Sequence, residues 1–171
     1  MDEEREDYDQ LHRLHAPRLA LYAMQWVACR ADAEDVVQDT FVRFWSRQSA
    51  VRYPLPYLYQ SVRNAALNWQ RGSRRRFEAE TQPRELRLFE DDADALEDAE
   101  FRGSVEDALR GLPDEQREIV TLRIWGDLTF REMAETLGIP ESTAKSRYRI
   151  SLEALRAQQE LRRRSGVEAE E

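Results

Sequence analysis

The sequence predicts an all-α protein built from two small helical domains that are joined by an acidic, flexible linker. Apolar residues recur at intervals of three and four along both halves of the chain, which is typical of amphipathic helices. Glycine and proline number six each, too few for a turn-rich β-protein. Between the halves, residues 90–100 hold seven acidic side chains and no basic one. We therefore place the domains at residues 8–76 and 104–164, with the linker at residues 77–103.

The composition narrows the class of protein. The chain has 171 residues, of which 41% are apolar and 35% are charged, and this suits solvent-covered helices better than one large globule. We expect no membrane insertion and no signal peptide, because no apolar run approaches about 18 residues and the first residues are acidic. Cys29 is the only cysteine, so no internal disulfide and no cysteine-rich metal site are expected. These features predict a cytoplasmic protein.

Charge is distributed unevenly along the chain. The net charge of −8 has the wrong sign for a protein that is held on DNA by bulk electrostatics alone. Residues 63–76, however, hold five arginines and no acidic side chain. An acidic chain with basic patches of this kind can bind DNA weakly by itself and need a partner that holds it there.

The first helix is predicted to begin near Tyr8 and to break or kink near Pro17. Within it, His12 and His15 are three residues apart and Asp9 precedes His12 by three, a spacing that could seat a metal on one helix face. The chain has no other histidine and no second cluster of ligands. Two surface histidines are therefore the preferred interpretation, and we predict no metal site.

The second helix is predicted to start at an Asp32 cap, with Asp35 three residues later. One face is apolar and should be core; its residues are Ala33, Val37, Thr40, Phe41 and Phe44. The other face mixes acidic, polar and apolar side chains: Asp35, Gln38, Asp39, Val42 and Trp45. Carboxylates around an apolar patch suggest a docking surface for a basic partner. A surface helix with stray apolar residues explains the pattern equally well.

The third helix is predicted to run from Tyr57 to about Arg71, after a stiff extended break at residues 53–56. Its buried stripe consists of Leu58, Val62, Ala65 and Trp69. The remaining faces carry aromatic, amide and basic side chains, namely Tyr57, Tyr59, Arg63, Asn64, Asn68 and Arg71. A single-stranded DNA surface needs these types, because rings stack on unpaired bases, amides read base edges and guanidinium groups hold phosphates. Core tyrosines beside a basic helix end fit the same pattern.

The second domain is predicted to open with a short helix that is capped by Ser104 and ends near Arg110. A further helix follows Pro113 and ends at Gly126. Its apolar residues are Ile119, Val120, Leu122 and Ile124. The acidic linker before this domain is explained most simply as a spacer that charge repulsion keeps extended.

Residues 128–156 are predicted to form two helices joined by a tight turn. Thr129 can cap the first helix, and Glu132 can reach back to close a capping box. Gly138 suits a left-handed C-terminal cap, and Pro140 forces a new helix to begin at residue 141 or 142. The outer face of the second helix is polar and cationic, with Ser142, Lys145, Ser146, Arg149 and Arg156. This division of faces favours a DNA-binding helix-turn-helix over an ordinary helical hairpin.

Together these stretches resemble the sigma-70 family of bacterial RNA polymerase sigma factors, and within it the small extracytoplasmic-function group that has only regions 2 and 4. Residues 31–41 resemble region 2.2 of the family, and residues 57–68 resemble regions 2.3 to 2.4. Residues 112–156 resemble region 4. The three motifs occur in the order and spacing of the family, and the match leaves out only the termini and the linker.

The resemblance implies a role for each polar face. The second-helix face would dock on the clamp helices of the polymerase β′ subunit, through Asp35, Gln38, Asp39, Val42 and Trp45. The third helix would read and help to melt the −10 element, through Tyr57, Tyr59, Arg63, Asn64, Asn68 and Arg71. Within that set, the two asparagines would read bases and the arginines would follow the backbone.

The helix-turn-helix would meet the −35 element as duplex DNA, through Ser142, Thr143, Lys145, Ser146 and Arg149. Many relatives carry another basic residue after the position of Arg149, whereas this chain has Ile150 and Ser151, so no −35 sequence is predicted. The implied partners are core RNA polymerase, through the β′ clamp helices and the β flap, promoter DNA, and an anti-sigma factor. The acidic linker would run toward the RNA exit path.

The sequence thus predicts a transcription initiation factor that reads two promoter elements and has no catalytic residue, metal or cofactor of its own. The alternative is a stand-alone helix-turn-helix repressor or activator, which would bind duplex DNA as a dimer. No dimer helix is visible in the sequence, and the net charge of −8 also disfavours this alternative. An enzyme lacks support, because the chain has no Ser-His-Asp set, phosphate loop or His-Glu-x-x-His motif.

Overall fold

The computed structural model describes the backbone of residues 2–47, 50–76 and 96–168, and side chains within 9–47, 50–72 and 101–162. Over these ranges the chain is all helical, as the sequence predicts, with seven helices and no strand. The helices are α1 Asp2–Ala23, α2 Arg30–Trp45, α3 Pro54–Arg76, α4 Leu96–Arg110, α5 Asp114–Ile124, α6 Phe130–Leu137 and α7 Glu141–Glu168. We call α1–α3 the N-terminal unit and α4–α7 the C-terminal unit. Most of the predicted linker, residues 77–95, lies outside the described residues.

The N-terminal unit is a three-helix bundle in which each helix packs against the other two. Its centre is formed by fully buried side chains from all three helices, including Leu19, Tyr22, Phe41, Leu58 and Val62. These residues recur at helical spacing, so burying one stripe from each helix closes the bundle and leaves the polar stripes outside.

Helix α1 differs from the prediction at its start and at its proline. It begins at Asp2 rather than near Tyr8, and it continues through Pro17 without the predicted break. Acidic residues at a helix N-terminus interact favourably with the macrodipole, which explains the earlier start. A proline inside a helix costs about 3 kcal/mol, and burial of the turn that follows, including Leu19 and Tyr22, offsets this cost.

The starts of α2 and α3 also correct the prediction. Helix α2 begins at Arg30, so Asp32 lies in its first turn instead of capping it; its carboxylate accepts a hydrogen bond from the Cys29 thiol at 3.2 Å. Helix α3 begins at Pro54, and the predicted extended break at residues 53–56 is wrong. The first N–H groups of a helix have no intrahelical acceptor, so the prolines at positions 54 and 56 remove no hydrogen bond there.

In the C-terminal unit, α7 packs against α4, α5 and α6. Helix α4 begins at Leu96, so Ser104 lies inside it and is not the predicted cap. The prediction for α6 is confirmed: Thr129 and Glu132 form a capping box, and Gly138 caps the C-terminus with φ 65°. Helix α7 begins at Glu141, so the two helices and their turn form the predicted helix-turn-helix.

The two units pack against each other and share one hydrophobic core. Helix α3 contacts α6, and α1 contacts α5. At this junction Gly126 lies against the Tyr59 hydroxyl, so closely that an added Cβ would sit 3.1 Å from that oxygen. On the rim, the Arg131 guanidinium stacks over the Tyr53 ring at 6.0 Å. Side chains on both sides of the linker are therefore buried by one another.

Candidate nucleic-acid and protein interfaces

The outer face of α7 is presented to solvent by packing on the opposite side of the helix. Ala144 is fully buried, and the Tyr148 ring meets the Phe130 ring of α6 at 5.7 Å. These contacts fix the rotation of α7 about its axis. The side chains that are then exposed are Ser142, Lys145, Ser146, Arg149 and Arg156, while Thr143 is half-buried. The structure thus gathers the predicted duplex-binding residues on the first turns of α7, after a short loop.

Two cations on this face form ion pairs with exposed acids of the same helix. Lys145 lies 2.6 Å from Glu141, and Arg149 lies 3.5 Å from Glu153, each four residues away. Exposed pairs of this kind contribute only about 0.3–0.5 kcal/mol. A phosphate or a guanine edge can therefore displace the acid at little cost, because water already screens the exposed ion pair.

The predicted docking face of α2 is exposed along its length. Asp35, Gln38 and Asp39 are exposed. The side chains of Val42 and Trp45, with 64% and 40% of their surface accessible, lie beyond them. The opposite side of α2, including Phe41 and Phe44, is buried in the bundle. An exposed apolar patch bordered by carboxylates suits a protein partner with basic residues around an apolar centre.

The predicted single-stranded DNA residues do not share one face of α3. At about 100° per residue, Tyr57, Asn64, Asn68 and Arg71 fall within an arc of about 60°. The two asparagines and Arg71 are exposed, and Tyr57 is half-buried beside the Phe44 ring at 5.9 Å. This arc, which we call the amide face, can offer amides and a guanidinium to bases and phosphates together.

Tyr59 lies on the far side of α3 and is covered by the C-terminal unit. Its side chain is fully buried, and its ring packs against Tyr22 at 5.3 Å. Burial raises the pKa of its hydroxyl, so the group stays protonated and neutral. In this arrangement Tyr59 cannot stack on a base, contrary to the predicted role, because the neighbouring unit occupies that space.

Arg63, also on the far side, is held by a carboxylate of the other unit. Its guanidinium donates to the two Glu118 carboxylate oxygens, at 2.5 and 3.3 Å. These hydrogen bonds raise the pKa of Arg63, against the opposing effect of burial. The Tyr22 hydroxyl donates to the same Glu118 carboxylate at 2.6 Å. Burial and the Glu118 charge together raise the pKa of Tyr22 well above its usual value.

Sequence reasoning missed Glu118, although its position carried a signal. Only 5% of Glu118 is accessible, and Leu122, four residues later on the same helix face, is fully buried. A carboxylate on the core stripe of a helix needs a hydrogen-bonded or charged partner. The identity of that partner, Arg63 of a distant helix, could not be read from local periodicity.

The two histidines of α1 lie in different surroundings. The His12 ring packs edge-on against Phe41 at 4.7 Å. Burial lowers the pKa of His15, and its Nδ1 is buried. Among the residues whose placement the structure describes, no group of three or more His, Cys, Asp or Glu side chains is arranged to hold a metal ion. Within the same residues, no helix is long and apolar enough to cross a membrane.

Comparison with known proteins explains the two units. A family model for sigma-70 region 2 matches residues 11–76, and one for sigma-70 region 4 matches residues 102–155. The RNA polymerase sigma-E factor of Streptomyces antibioticus is 30% identical over 134 residues, which cover 77% of this chain and 72% of that protein. The chain belongs to the sigma-70 family. It is a sigma factor of the extracytoplasmic-function type, a regulatory protein of transcription initiation.

Two further relatives agree with the assignment of this chain to the extracytoplasmic-function sigma factors. The extracytoplasmic-function RNA polymerase sigma factor RpoE of Cereibacter sphaeroides is 28% identical over 163 residues, covering 87% of this chain and 84% of that protein. The sigma factor RpoE of Bartonella quintana, solved in complex with the anti-sigma factor NepR, has a similar fold. Its TM-score is 0.70 at 22% identity, over 91% of this chain and 98% of that chain. The alternative of a stand-alone repressor is not favoured, because it leaves the region 2 match unexplained.

Proposed function

We propose that this sigma factor docks on core RNA polymerase through the α2 face and reads promoter DNA through α3 and α7. The observation that carries the proposal is the exposed acidic and apolar patch on α2, within a region 2 fold. Its partner would be the clamp helices of the β′ subunit, with α7 and its neighbours reaching the β flap. The exposure of Val42 and Trp45 supports this assignment, because neither side chain is needed for the core of the bundle.

For DNA, the proposal assigns the −10 element to the amide face of α3. Asn64 and Asn68 can hydrogen-bond base edges, while Arg71 and the arginines after it can hold the backbone of an opened strand. Exposure of these amides supports the assignment. Tyr57 borders the same face and is the aromatic side chain that is available to stack on a base there.

The −35 element is assigned to α7 as duplex DNA. Lys145 and Arg149 supply the bidentate or phosphate contacts, and the hydroxyls of Ser142, Thr143 and Ser146 supply adaptable ones. Two features support this assignment: the cationic side chains of α7 are exposed, and the capped helix α6 and its turn orient α7. The net charge of −8 means that binding to DNA depends on the polymerase to hold the protein at the promoter.

The remaining parts of the proposal concern location and partners. Working on core polymerase places the protein in the cytoplasm. The acidic linker would run toward the RNA exit path, where its charge resembles that of nucleic acid. An anti-sigma factor as a further partner stays a prediction; the Bartonella RpoE was solved with one, and co-purification from the native cell tests it here.

A direct test is titration of purified core polymerase with this protein, followed by run-off transcription from genomic DNA fragments. We expect one-to-one binding and new transcripts that start at a defined distance from a shared pair of elements. Tight binding to duplex DNA without polymerase, together with no binding to polymerase, would overturn the proposal and indicate a stand-alone DNA-binding protein.

A further inference from the structure

The junction between the two units is centred on one buried carboxylate. Glu118 of α5 accepts hydrogen bonds from Tyr22 of α1, at 2.6 Å, and from Arg63 of α3, at 2.5 Å. Only 6% of the Glu118 side chain is accessible, against 33% for Arg63. A largely buried carboxylate from the C-terminal unit thus neutralises and fixes a partly accessible cation of the N-terminal unit.

We propose that Glu118 is an internal latch that competes with the DNA backbone for Arg63 and holds the protein closed. In the closed form the C-terminal unit covers Tyr59 and the inner side of α3. The protein must release Glu118 before α3 can engage an opened strand with that side. The inference rests on the proposed role of α3 in binding DNA, and it adds a regulatory step to that role.

The chemistry of Arg63 makes the two partners compete for the same edge of its guanidinium. A guanidinium offers a planar fork of donors that fits either a carboxylate or a phosphate. Both carboxylate oxygens of Glu118 receive hydrogen bonds from Arg63. The edge of the guanidinium formed by Nε and Nη2 is therefore occupied by Glu118 and cannot hold a phosphate at the same time. Binding of a strand and closure of the latch are therefore alternatives.

One buried polar group destabilises the closed form and so favours separation of the two units. The Tyr59 hydroxyl is buried at the junction and has no hydrogen-bond partner there. A buried hydroxyl without a partner loses the hydrogen bonds that water would provide, so opening restores them. The junction is therefore stabilised mainly by apolar packing and by the Glu118 cluster, which is formed by Glu118, Tyr22 and Arg63. The buried Tyr59 hydroxyl destabilises the junction.

The first test measures the distance between the units in the full-length free protein. Cys29 is the only cysteine and is exposed in the N-terminal unit, so one spin label attaches there without engineering. A Gln159→Cys substitution on the exposed side of α7 supplies the second label. Double electron–electron resonance between the two labels should give a single population of short distances in this labelled parent. Adding Glu118→Gln should shift most molecules to longer, broader distances.

The matched control is Glu115→Gln, the same chemical change one turn earlier on α5. Glu115 pairs at 2.7 Å with Arg147 of its own unit, so its loss leaves the junction intact. We expect the parental distance distribution for this variant. An unchanged distribution in a folded Glu118→Gln protein would overturn the latch, and so would an equal shift in both variants.

A second variant covers the case in which Glu118→Gln does not fold. Tyr22→Phe removes only the hydroxyl donor and keeps the ring that packs against Trp26 at 5.0 Å. It should shift the distances in the same direction as Glu118→Gln, by a smaller fraction. If Glu118→Gln is unfolded by circular dichroism, parental distances in Tyr22→Phe would overturn the proposal.

A DNA measurement separates failure of the latch from failure of the proposed function. Freed of Glu118, Arg63 should bind a fluorescent single-stranded oligothymidine about tenfold more tightly than in the parent. If the parent neither binds core polymerase nor starts transcripts, the proposed function fails, while the distance measurement still reports on the junction. If the parent does both, and Glu118→Gln leaves distances and oligothymidine affinity unchanged, only the latch is wrong.

Discussion

Helices α7 and α3 were both predicted to bind DNA, yet they present their residues in opposite ways. On α7, the predicted cationic stripe is exposed as a whole. On α3, the predicted set is divided: the amide face is exposed, whereas Tyr59 and Arg63 lie at the junction with the C-terminal unit. Helix α7 therefore presents its predicted DNA-binding residues to solvent, whereas α3 is partly covered by the C-terminal unit of the same chain.

The difference depends on how far away in the sequence the neighbours of each helix lie. Helix α7 is oriented mainly by α5 and α6, which lie just before it in the chain, so the local pattern defines its inner and outer sides. Helix α3 is contacted by α1, α2 and α6, and α6 lies beyond the linker. Tyr59, two residues from Tyr57, points into this distant contact. Local periodicity cannot reveal a partner that is more than sixty residues away.

The largest expected effect tests the covered side of α3. Tyr59→Ala should lower the free energy of unfolding by about 3–5 kcal/mol, because it leaves a large cavity at the junction. Tyr57→Ala, a tyrosine two residues earlier that is half-buried, should cost clearly less. Urea denaturation followed by circular dichroism measures both. Equal losses would mean that the two sides of α3 are not packed as differently as the structure shows.

The next effect concerns the exposed face of α2. Val42→Arg should weaken binding to core polymerase by about 2 kcal/mol or more, the loss typical of a central interface residue. Thermal unfolding should stay close to that of the parent, because 64% of Val42 is accessible. Asp39→Arg should act in the same direction.

Leu14→Arg is the matched control for this face. It places the same charge at an apolar residue of α1 that is 55% accessible and outside the proposed docking face. Its affinity for core polymerase should equal that of the parent, measured by titration with a labelled core enzyme. Unchanged affinity in both α2 variants would remove the docking assignment while leaving the fold in place.

The fold was predictable where the determinants are local. The capping box at Thr129, the left-handed Gly138 and the start of α7 follow from residues within one or two turns, and the structure confirms them. Helix ends that depend on tertiary packing were predicted less well. Helix α1 passes through Pro17 because the residues after it are buried against α2 and α3, information that the sequence of α1 does not contain.

The candidate sites divide in the same way. Exposure of the α2 and α7 faces followed from amphipathic spacing, whereas their roles in binding remain proposals. The Glu118 cluster joins residues 22, 63 and 118, which have no common sequence motif. Only a tertiary structure brings them together. A carboxylate on a core stripe could have marked position 118 as unusual, without naming Arg63 as its partner.

A smaller effect tests the helix that is already exposed. Lys145→Ala and Arg149→Ala should each weaken binding to a promoter by about 1–3 kcal/mol if they contact bases. Because their present pairs with Glu141 and Glu153 are exposed, neither substitution should change stability measurably. Competition between promoter and random duplexes, with holoenzyme, provides the measurement. Arg110→Ala, a cation on α4 outside the helix-turn-helix, is the control and should leave promoter preference unchanged. Equal losses on both duplexes would reassign the two residues to phosphate contacts.

The smallest effect has the opposite sign and concerns one oxygen atom. Tyr59→Phe removes the buried hydroxyl that has no hydrogen-bond partner, and it keeps the ring that fills the junction. Removing such a group is expected to leave the free energy of unfolding unchanged or to raise it by about 1 kcal/mol. Urea denaturation resolves a change of that size when parent and variant are measured side by side. A loss of similar size would mean that the hydroxyl is hydrogen-bonded in solution, and the junction would then be better satisfied than its geometry indicates. A gain would show that the covered side of α3 is kept less stable than its packing allows, as expected for a surface that must open.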